Sequence, residues 1–565
     1  MGKRVLVVGG VAGGASAAAR IRRLDATASI LVFERGEHVS FSNCSLPYYL
    51  SRTVQTAEDL VMMTPESFRA SYDIEVRVRN EVIAIDREGK KVTVRDLASG
   101  REYEESYDEL ILAPGASPIC PRSLEGTQLP HVFTVRNVAD IVKLDQYVRS
   151  NDARNVVVVG GGFIGLEVAE NLREAGKTVS VVEAAPQIMA PFDFDMVQIL
   201  QKELYDHEVS LYVGDAVQAI TETQVVLASG KALEADAVVL AIGVAPETGL
   251  AKAAGLALGE TGAIRVSPEY RTSDPHIYAV GDAIEVHNRL THKASKLPLA
   301  GPAIRQARTA ADAIYGIPGT NRGVLGSCAV RVFGMNAAAT GLNERTAKAN
   351  GIPCDAVYTM AMDKVSLMPG CAPMHFKLIF ETPTGRVLGA QAIGRGNVDK
   401  RIDVIATLIA MNGTLEDLKE LELCYSPVFG TARDVVNVAA LVARNVLHGV
   451  VRQVPVTEVR SLVENNACII DVRTEGEFAA GHIVGAVNIP LGQLRQRPDE
   501  IPRDRPVYLH CRTSQRSYNA IMALQGLGFD NVINISGSFL GLSYYEYFGD
   551  VTTGREKIVT EYNFN

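Results

Sequence analysis

The stretch NVVVVGGGFIGLEVAENLREAGKTVSVVEAA, residues 155–185, decides the fold. Four consecutive valines are too short a run for a helix and read as a buried strand. Three glycines follow, then an amphipathic segment, then a second apolar run that stops at Glu183. Gly160, Gly162 and Gly165 stand in G-x-G-x-x-G register, with Phe163 and Ile164 inside the turn. Glycines there let the backbone approach a pyrophosphate, the helix N-terminus faces its charge, and an acidic residue about twenty positions on takes the ribose hydroxyls. The stretch is read as a strand, turn, helix and strand that bind a dinucleotide.

Working outward, the N-terminus repeats the pattern. RVLVV leads into GGVAGG, then ASAAARIRRL, then ASILVFERG, whose strand ends at Glu34. The match is imperfect, because Val11 stands where the middle glycine belongs between Gly9 and Gly14. One such turn could merely pack a helix on a strand. Two copies, each with its strand, helix and acidic residue, imply two bound dinucleotides.

The bulk numbers agree with a globular protein of several domains. The 565 residues exceed what one core supports, and 47% hydrophobic with 21% charged residues is ordinary soluble composition. A net charge of -9 argues against nucleic acid or an anionic membrane as partner. Lys3 and Arg4 ahead of an apolar run mimic a secretion signal, but glycines at 9, 10, 13 and 14 break that run. With no run of eighteen apolar residues, no membrane span is expected and the chain is read as cytoplasmic. The eight cysteines form no C-x-x-C pair, so neither a disulfide framework nor a metal site is expected.

A third element, TSDPHIYAVGDA at 272–283, delivers Gly281 and Asp282 behind a buried strand. With it the chain resembles the pyridine nucleotide-disulfide oxidoreductases. LILAPGASP at 110–118 is similar to that family's crossover between domains, and AIGVAPET at 241–248 to its return. The resemblance implies FAD on the first fold, held by Gly9, Gly10, Ala12, Gly13, Gly14, Glu34, Arg35, Asn43, Ala113, Gly115, Gly281, Asp282, Pro298, Leu299 and Ala300. It implies NAD(P)H on the second, at Gly160, Gly162, Phe163, Ile164, Gly165, Glu183 and Gly243. Glu183 would bond a free 2′-hydroxyl and repel a 2′-phosphate, which favours NADH over NADPH. The expected fold class is α/β, with two Rossmann-like dinucleotide-binding domains, an α+β dimerisation domain and a C-terminal α/β domain whose family is read below. Expected boundaries are 1–112 with 243–324 for FAD, 113–242 for NAD(P)H, 325–445 for dimerisation, 446–455 for a linker and 456–565 for the C-terminal domain.

SFSNCSLPYY, residues 40–49, carries one cysteine, Cys44, where many flavin disulfide reductases carry two. A lone thiol there can serve as a sulfenic acid or as half of a mixed disulfide with a small thiol. Ser16, Arg20 and Arg23 recur at helical spacing, and arginine forks suit phosphates. A solvated basic face is the plainer reading of that spacing. The combination of GGVAGGASAAAR, S-F-x-N-C and a downstream Y-S-P resembles the coenzyme A-disulfide reductases and the related NADH-dependent persulfide and polysulfide reductases. That resemblance implies a mixed disulfide between Cys44 and coenzyme A, with Ser16, Arg20, Arg23, Ser40, Asn43 and Arg433 on the CoA. It also implies a homodimer whose subunits share the active site, with Tyr425 of LCYSPVFGTARDVVN near the partner's thiol. Where many relatives carry SYYPG this chain has SLMPG, so Leu367 stands in place of a second tyrosine.

After LHGVVRQVPVTEV the pattern restarts. An apolar strand runs into CRTSQRS, putting Cys511 on a loop before a helix, with Arg512 and Arg516 beside it. Such a cradle holds an anion. A cysteine phosphatase wants C-x-x-x-x-x-R, but Ser517 occupies that arginine's place. The shorter loop and DVRTEGEFAAGHIVGAVNIP resemble rhodanese sulfurtransferases, with Asp471, Arg473 and His482 as parts of the fold. Together these features predict an FAD-dependent enzyme using NADH to reduce a CoA persulfide, a polysulfide or CoA disulfide at Cys44, while Cys511 binds or transfers sulfane sulfur. The alternatives are an NADH oxidase or peroxidase using a sulfenic acid, and a redox-sensing sulfur carrier.

Overall fold

The apolar runs form the centres of parallel sheets. The structure, a computed structural model, describes residues 2–564. Arg4–Val8 lies between Ser29–Glu34 and Glu109–Leu112, with Ile277–Ala279 and Glu75–Val78 at the edges, all parallel. In the second sheet Asn155–Val159 lies between Thr178–Glu183 and Ala237–Leu240, with Val132–Phe133 outside the latter. Val5, Leu6, Val157 and Val158 are fully buried, as expected for central strands covered on both faces. The crossover Ala116–Pro118 and the return Val244–Pro246 pair antiparallel.

Contacts divide the chain into two compact units. One holds residues through Pro186 together with Tyr212–Val324, and the other holds Gln187–Leu211 with the chain from Leu325 onward. Helix Phe194–Asp206, inside the stretch 113–242 read as the NAD(P)H-binding domain, therefore packs with the second unit.

In that unit a five-stranded antiparallel sheet runs in the order Cys328–Val332, Met335–Gly341, Val387–Gly394, Pro373–Glu381 and Cys354–Met362. Lys377, inside it, bonds both oxygens of Asp195 at 2.8 Å and lies 3.3 Å from Asp193 and 2.6 Å from Glu344. Burial opposes the ammonium charge, but the three carboxylates hold Lys377 well above its ordinary value. This buried cluster fastens helix Phe194–Asp206 to the sheet. From its other side the helix meets Ser538–Thr553 through Phe194 on Tyr545 and Tyr205 on Tyr547.

The C-terminal sheet is parallel, in the order Gln453–Pro455, Val532–Ser536, Val507–His510, Cys468–Asp471, Val487–Asn488. The stretch 446–455 thus ends as an edge strand of this sheet, because Val454 and Val456 supply apolar side chains to the core beneath it. Its seat on the antiparallel sheet is close. A Cβ at Gly537 would lie 2.8 Å from the ring of Tyr358, whose hydroxyl bonds Nδ1 of His375 at 2.6 Å. No helix among the described residues is long and apolar enough to cross a membrane.

Candidate active site

The two glycine turns have the same internal construction. A Cβ at Gly14 would come 1.7 Å from the carbonyl of Gly9, and one at Gly165 would come 1.9 Å from that of Gly160. Gly9 in turn presses on the carbonyl of Ala113, and Gly160 on that of Ala241. Each acidic residue closes its own turn. Glu34 accepts from the N–H of Gly10 at 2.9 Å and of Gly36 at 2.7 Å, and Glu183 from Gly161 and Ala185 at 2.8 Å each.

The helices that follow fit a bound pyrophosphate. Ala12–Leu24 and Phe163–Glu174 have neither a side-chain cap nor an acidic residue in the first turn, whereas the helices begun by Thr64, Asn137, Thr414 and Thr474 are capped by those side chains. Val11, at the N-cap of the first helix, therefore leaves its N–H groups open as Gly162 does in the second. Asp282 sits in the turn Gly281–Ala283, whose first N–H donates to Gln306 at 2.7 Å. Burial raises the Asp282 carboxyl, and Arg136 opposes this. Pro298, Leu299 and Ala300 open helix Ala300–Ile314, which packs along Ala12–Leu24. Gly115 accepts from Glu247 N–H at 3.0 Å, and Gly243 accepts from Ile119 N–H at 3.0 Å, so both lie at the crossover. Arg35 reaches the same place and bonds Glu247 at 2.9 Å.

Beside Gly160 and Glu183 opens a cleft of about 420 Å³, closed by Ile242, Val182 and the segments Pro121–Leu124 and Ala216–Gln218. The last two segments carry no motif, and sequence reading missed them. Phe163 and Ile164 begin the helix that follows Gly162, with Ile164 exposed.

The Cys44 segment is tied to both folds. Ser40 N–H donates to Gly10 at 2.9 Å, and Ser51 Oγ donates to Asn171 Oδ1 on the second-fold helix at 2.6 Å. Pro47–Tyr49 packs on that helix as well. Asn43 and Cys44 lie between these anchors in the 3-10 turn Asn43–Ser45. All eight cysteines are free, and Cys44 is exposed. Cys44 gains no help from its own element, because a three-residue turn has no appreciable dipole. Partial burial, then the carboxylates of Glu167 and Asp282, push the thiol up instead. Glu167, on the second-fold helix, is itself pushed up to about 7 by burial and Glu170. Glu167, two residues past the last glycine of the turn, was not among the residues the sequence singled out.

Of the residues expected on CoA, Ser16 and Arg20 are half-buried and Arg23 is exposed along one helix face. Arg20 gives Nε to Asp312 at 2.6 Å, and Arg23 lies 5.5 Å over the ring of Tyr72. Tyr425 and Arg433 belong to the other unit, where both are exposed. Buried Arg401 ties their loop to that of Leu367, bonding Asp434 at 2.9 Å, the Asp363 carbonyl at 3.0 Å and the Phe429 carbonyl at 3.4 Å. Leu367 is 84% exposed, and Tyr425, Val428 and Phe429 are each more than half exposed, an apolar surface on two adjoining loops.

At the C-terminus Cys511 is 1% exposed, at the floor of its loop. Asp471 and Arg473 form a fully buried pair beneath it, and His482 stacks on Phe478. Arg516 is engaged by Glu477 through both Nη atoms at 2.7 Å, a partner that sequence reading did not foresee.

Comparison with known proteins follows this geometry. The model of the pyridine nucleotide-disulphide oxidoreductase family matches residues 3–307, that of its dimerisation domain residues 328–435, and that of the rhodanese-like domain residues 455–543. The crystal structure of reduced CoADR-RHD from Bacillus anthracis is 42% identical, covering 97% of this chain and 99% of that one at a TM-score of 0.94. An NAD-dependent persulfide reductase from A. fulgidus is 35% identical, covering 95% and 99% at 0.90. Coenzyme A disulfide reductase from Staphylococcus aureus (strain JH9) is 34% identical over 442 residues, 78% of this chain and all of that one. The chain therefore belongs to the pyridine nucleotide-disulphide oxidoreductase family, with the family's dimerisation domain and a C-terminal rhodanese domain.

Proposed function

We propose that the protein uses NADH and FAD to reduce a coenzyme A-bound sulfur species, a persulfide, polysulfide or disulfide, through a mixed disulfide at Cys44. The observation that carries this reading is the seat of Cys44. It is a single exposed thiol without a neighbouring cysteine, held between the first glycine turn and the second-fold helix. Such a thiol has no internal partner, so its disulfide must be with an external sulfur.

FAD, held by the first turn, Glu34 and Asp282, would supply the two electrons drawn from NADH at the second turn. Glu183 is followed by Ala184, Ala185 and Pro186, with no cation to receive a 2′-phosphate, which supports NADH. Cys44 as thiolate attacks the CoA-bearing sulfur of CoA–S–SH, the S–S bond breaks, and hydrosulfide leaves. Two electrons and one proton then return Cys44 to thiolate and release CoA–SH. Ser16, Arg23, Ser40 and Asn43, with the Nη groups of Arg20, would hold the CoA. In a homodimer Arg433 of the neighbouring subunit would join them, and Tyr425 would protonate the departing sulfur. The apolar loops around Leu367 supply no second tyrosine hydroxyl, which favours a small leaving hydrosulfide over a bulky thiolate. Cys511 would collect sulfane sulfur and hand it to a thiol carrier.

Anaerobic kinetics with NADH against CoA persulfide, polysulfide and CoA disulfide test this. Wild type is expected to turn over CoA persulfide fastest, and Cys44→Ser to lose at least about a hundredfold with each substrate, the size of effect seen when a covalent nucleophile is removed. Full turnover in Cys44→Ser would refute the reading.

A further inference from the structure

The loop that begins at Cys511 carries two arginines, and their surroundings differ. Arg516 is matched by Glu477, whose carboxyl the pair holds down to about 2. Arg473, below, is matched by Asp471. His510 is fully buried, and burial pushes it down toward the neutral form. Arg512 has no hydrogen bond or ion pair to its guanidinium among the described residues. Of the groups facing it, the Glu477 carboxylate is already paired with Arg516 and the Arg473 guanidinium with Asp471, while His375 and Tyr544 are uncharged at neutral pH. Burial and Arg512 itself push His375 down to about 3, and burial pushes the Tyr544 phenol up. The helix that follows, Gln515–Gly526, has no side-chain cap and no acidic residue in its first turn. Three guanidinium groups at the site thus meet two carboxylates, which leaves one surplus positive charge around the loop of Cys511, where Arg516 also reaches the sulfur.

We infer that the Cys511 site takes its sulfur from thiol persulfides, which bring at most one negative charge to the transferred sulfur, and discriminates against thiosulfate and other dianions. This rests on the proposed sulfur-transfer role of Cys511 and names its donor class. Cys511 as thiolate attacks the terminal sulfur of R–S–SH. The donor S–S bond breaks, its electron pair leaves as R–S⁻, and Cys511–S–SH remains, with no net oxidation or reduction. After loss of its proton to water, the product places one negative charge beside Arg512. Thiosulfate would bring two charges to the same atoms and release sulfite, so with the Cys511 thiolate three negative charges would meet one surplus positive charge. An uncompensated charge a few ångströms away in a half-buried site changes a rate on the order of tenfold or more.

The test uses the full-length enzyme without NADH. Persulfide on the Cys511 peptide is followed by mass spectrometry after addition of glutathione persulfide or thiosulfate. Wild type is expected to load from the persulfide at least about tenfold faster. Glu477→Gln frees Arg516 while keeping an N3 side chain able to complete the Thr474 capping box, so the fold is retained and thiosulfate gains roughly tenfold relative to the persulfide. Arg512→Gln slows both donors, whereas Arg512→Lys, which keeps the charge, preserves their ratio. Equal loading of wild type from both donors, or an unchanged ratio in Glu477→Gln, overturns the donor assignment alone. Failure of Cys511 to load from either donor, with NADH-dependent turnover at Cys44 intact, overturns the sulfur-transfer role and this inference with it.

Discussion

At the scale of single residues, reactivity at Cys44 is held down by partial burial and then by two carboxylates the chain places near it. Both raise the thiol, so removing one lowers it. Glu167→Gln is expected to move the pH profile of Cys44 alkylation toward lower pH by up to about one unit, because a nearby like charge no longer opposes thiolate formation. The sign is fixed: the reactive thiolate exists above the thiol pKa, so the rate at a given pH below it rises. Alkylation of Cys44 by iodoacetamide between pH 6 and 9, with Cys424 as an exposed internal reference, measures it. A shift toward higher pH would refute the electrostatic account. Cys44 was legible in the sequence because a thiol among small polar residues stands out. Glu167 was not, because its effect on Cys44 joins residues more than a hundred positions apart. Glu477 was half legible: T-E-G-E announces a capping box, but nothing local announces Arg516.

At the scale of elements, the valine runs and glycine turns were readable because their constraints are local. A strand buried on both faces must be apolar throughout, and a helix that starts against its own strand must begin with glycine. Gly165→Ala tests the second of these statements. A methyl group there would meet the Gly160 carbonyl at 1.9 Å, forcing helix Phe163–Glu174 away from its strand. The expected outcome is NADH affinity lowered by at least about tenfold with FAD content unchanged, read by equilibrium titration and flavin absorbance. Equal loss of both nucleotides would show that the folds are not independent binding units. The loops bearing Leu367 and Tyr425 were legible only as interruptions. Their adjacency comes from Arg401, a cation inside an otherwise apolar helix face, whose partners lie well away from it along the chain.

At the scale of the whole molecule, four modules were expected from motif order and comparison bears out that architecture, yet contacts gather the chain into two units. Motif reading assigns residues by chain order, but Phe194–Asp206 is placed by buried charge and aromatic contact with segments read as other modules. The rhodanese fold is likewise seated on the antiparallel sheet rather than strung from it. Gly537→Ala, driving a methyl group into the Tyr358 ring, is expected to split one cooperative calorimetric transition of that unit into two and to open residues 446–452 to trypsin. A single unchanged transition would contradict this.

The interleaved helix also bears on inheritance. A terminal domain hung on a free tether could be lost to a nonsense mutation and leave a working reductase behind. Here a stop codon just past residue 447 would strip Ser538–Thr553 from helix Phe194–Asp206 and bare Tyr358 and His375, which are now almost wholly covered. The truncated product would be prone to precipitate. Selection acting on the redox activity alone would then keep the rhodanese end of the gene in frame.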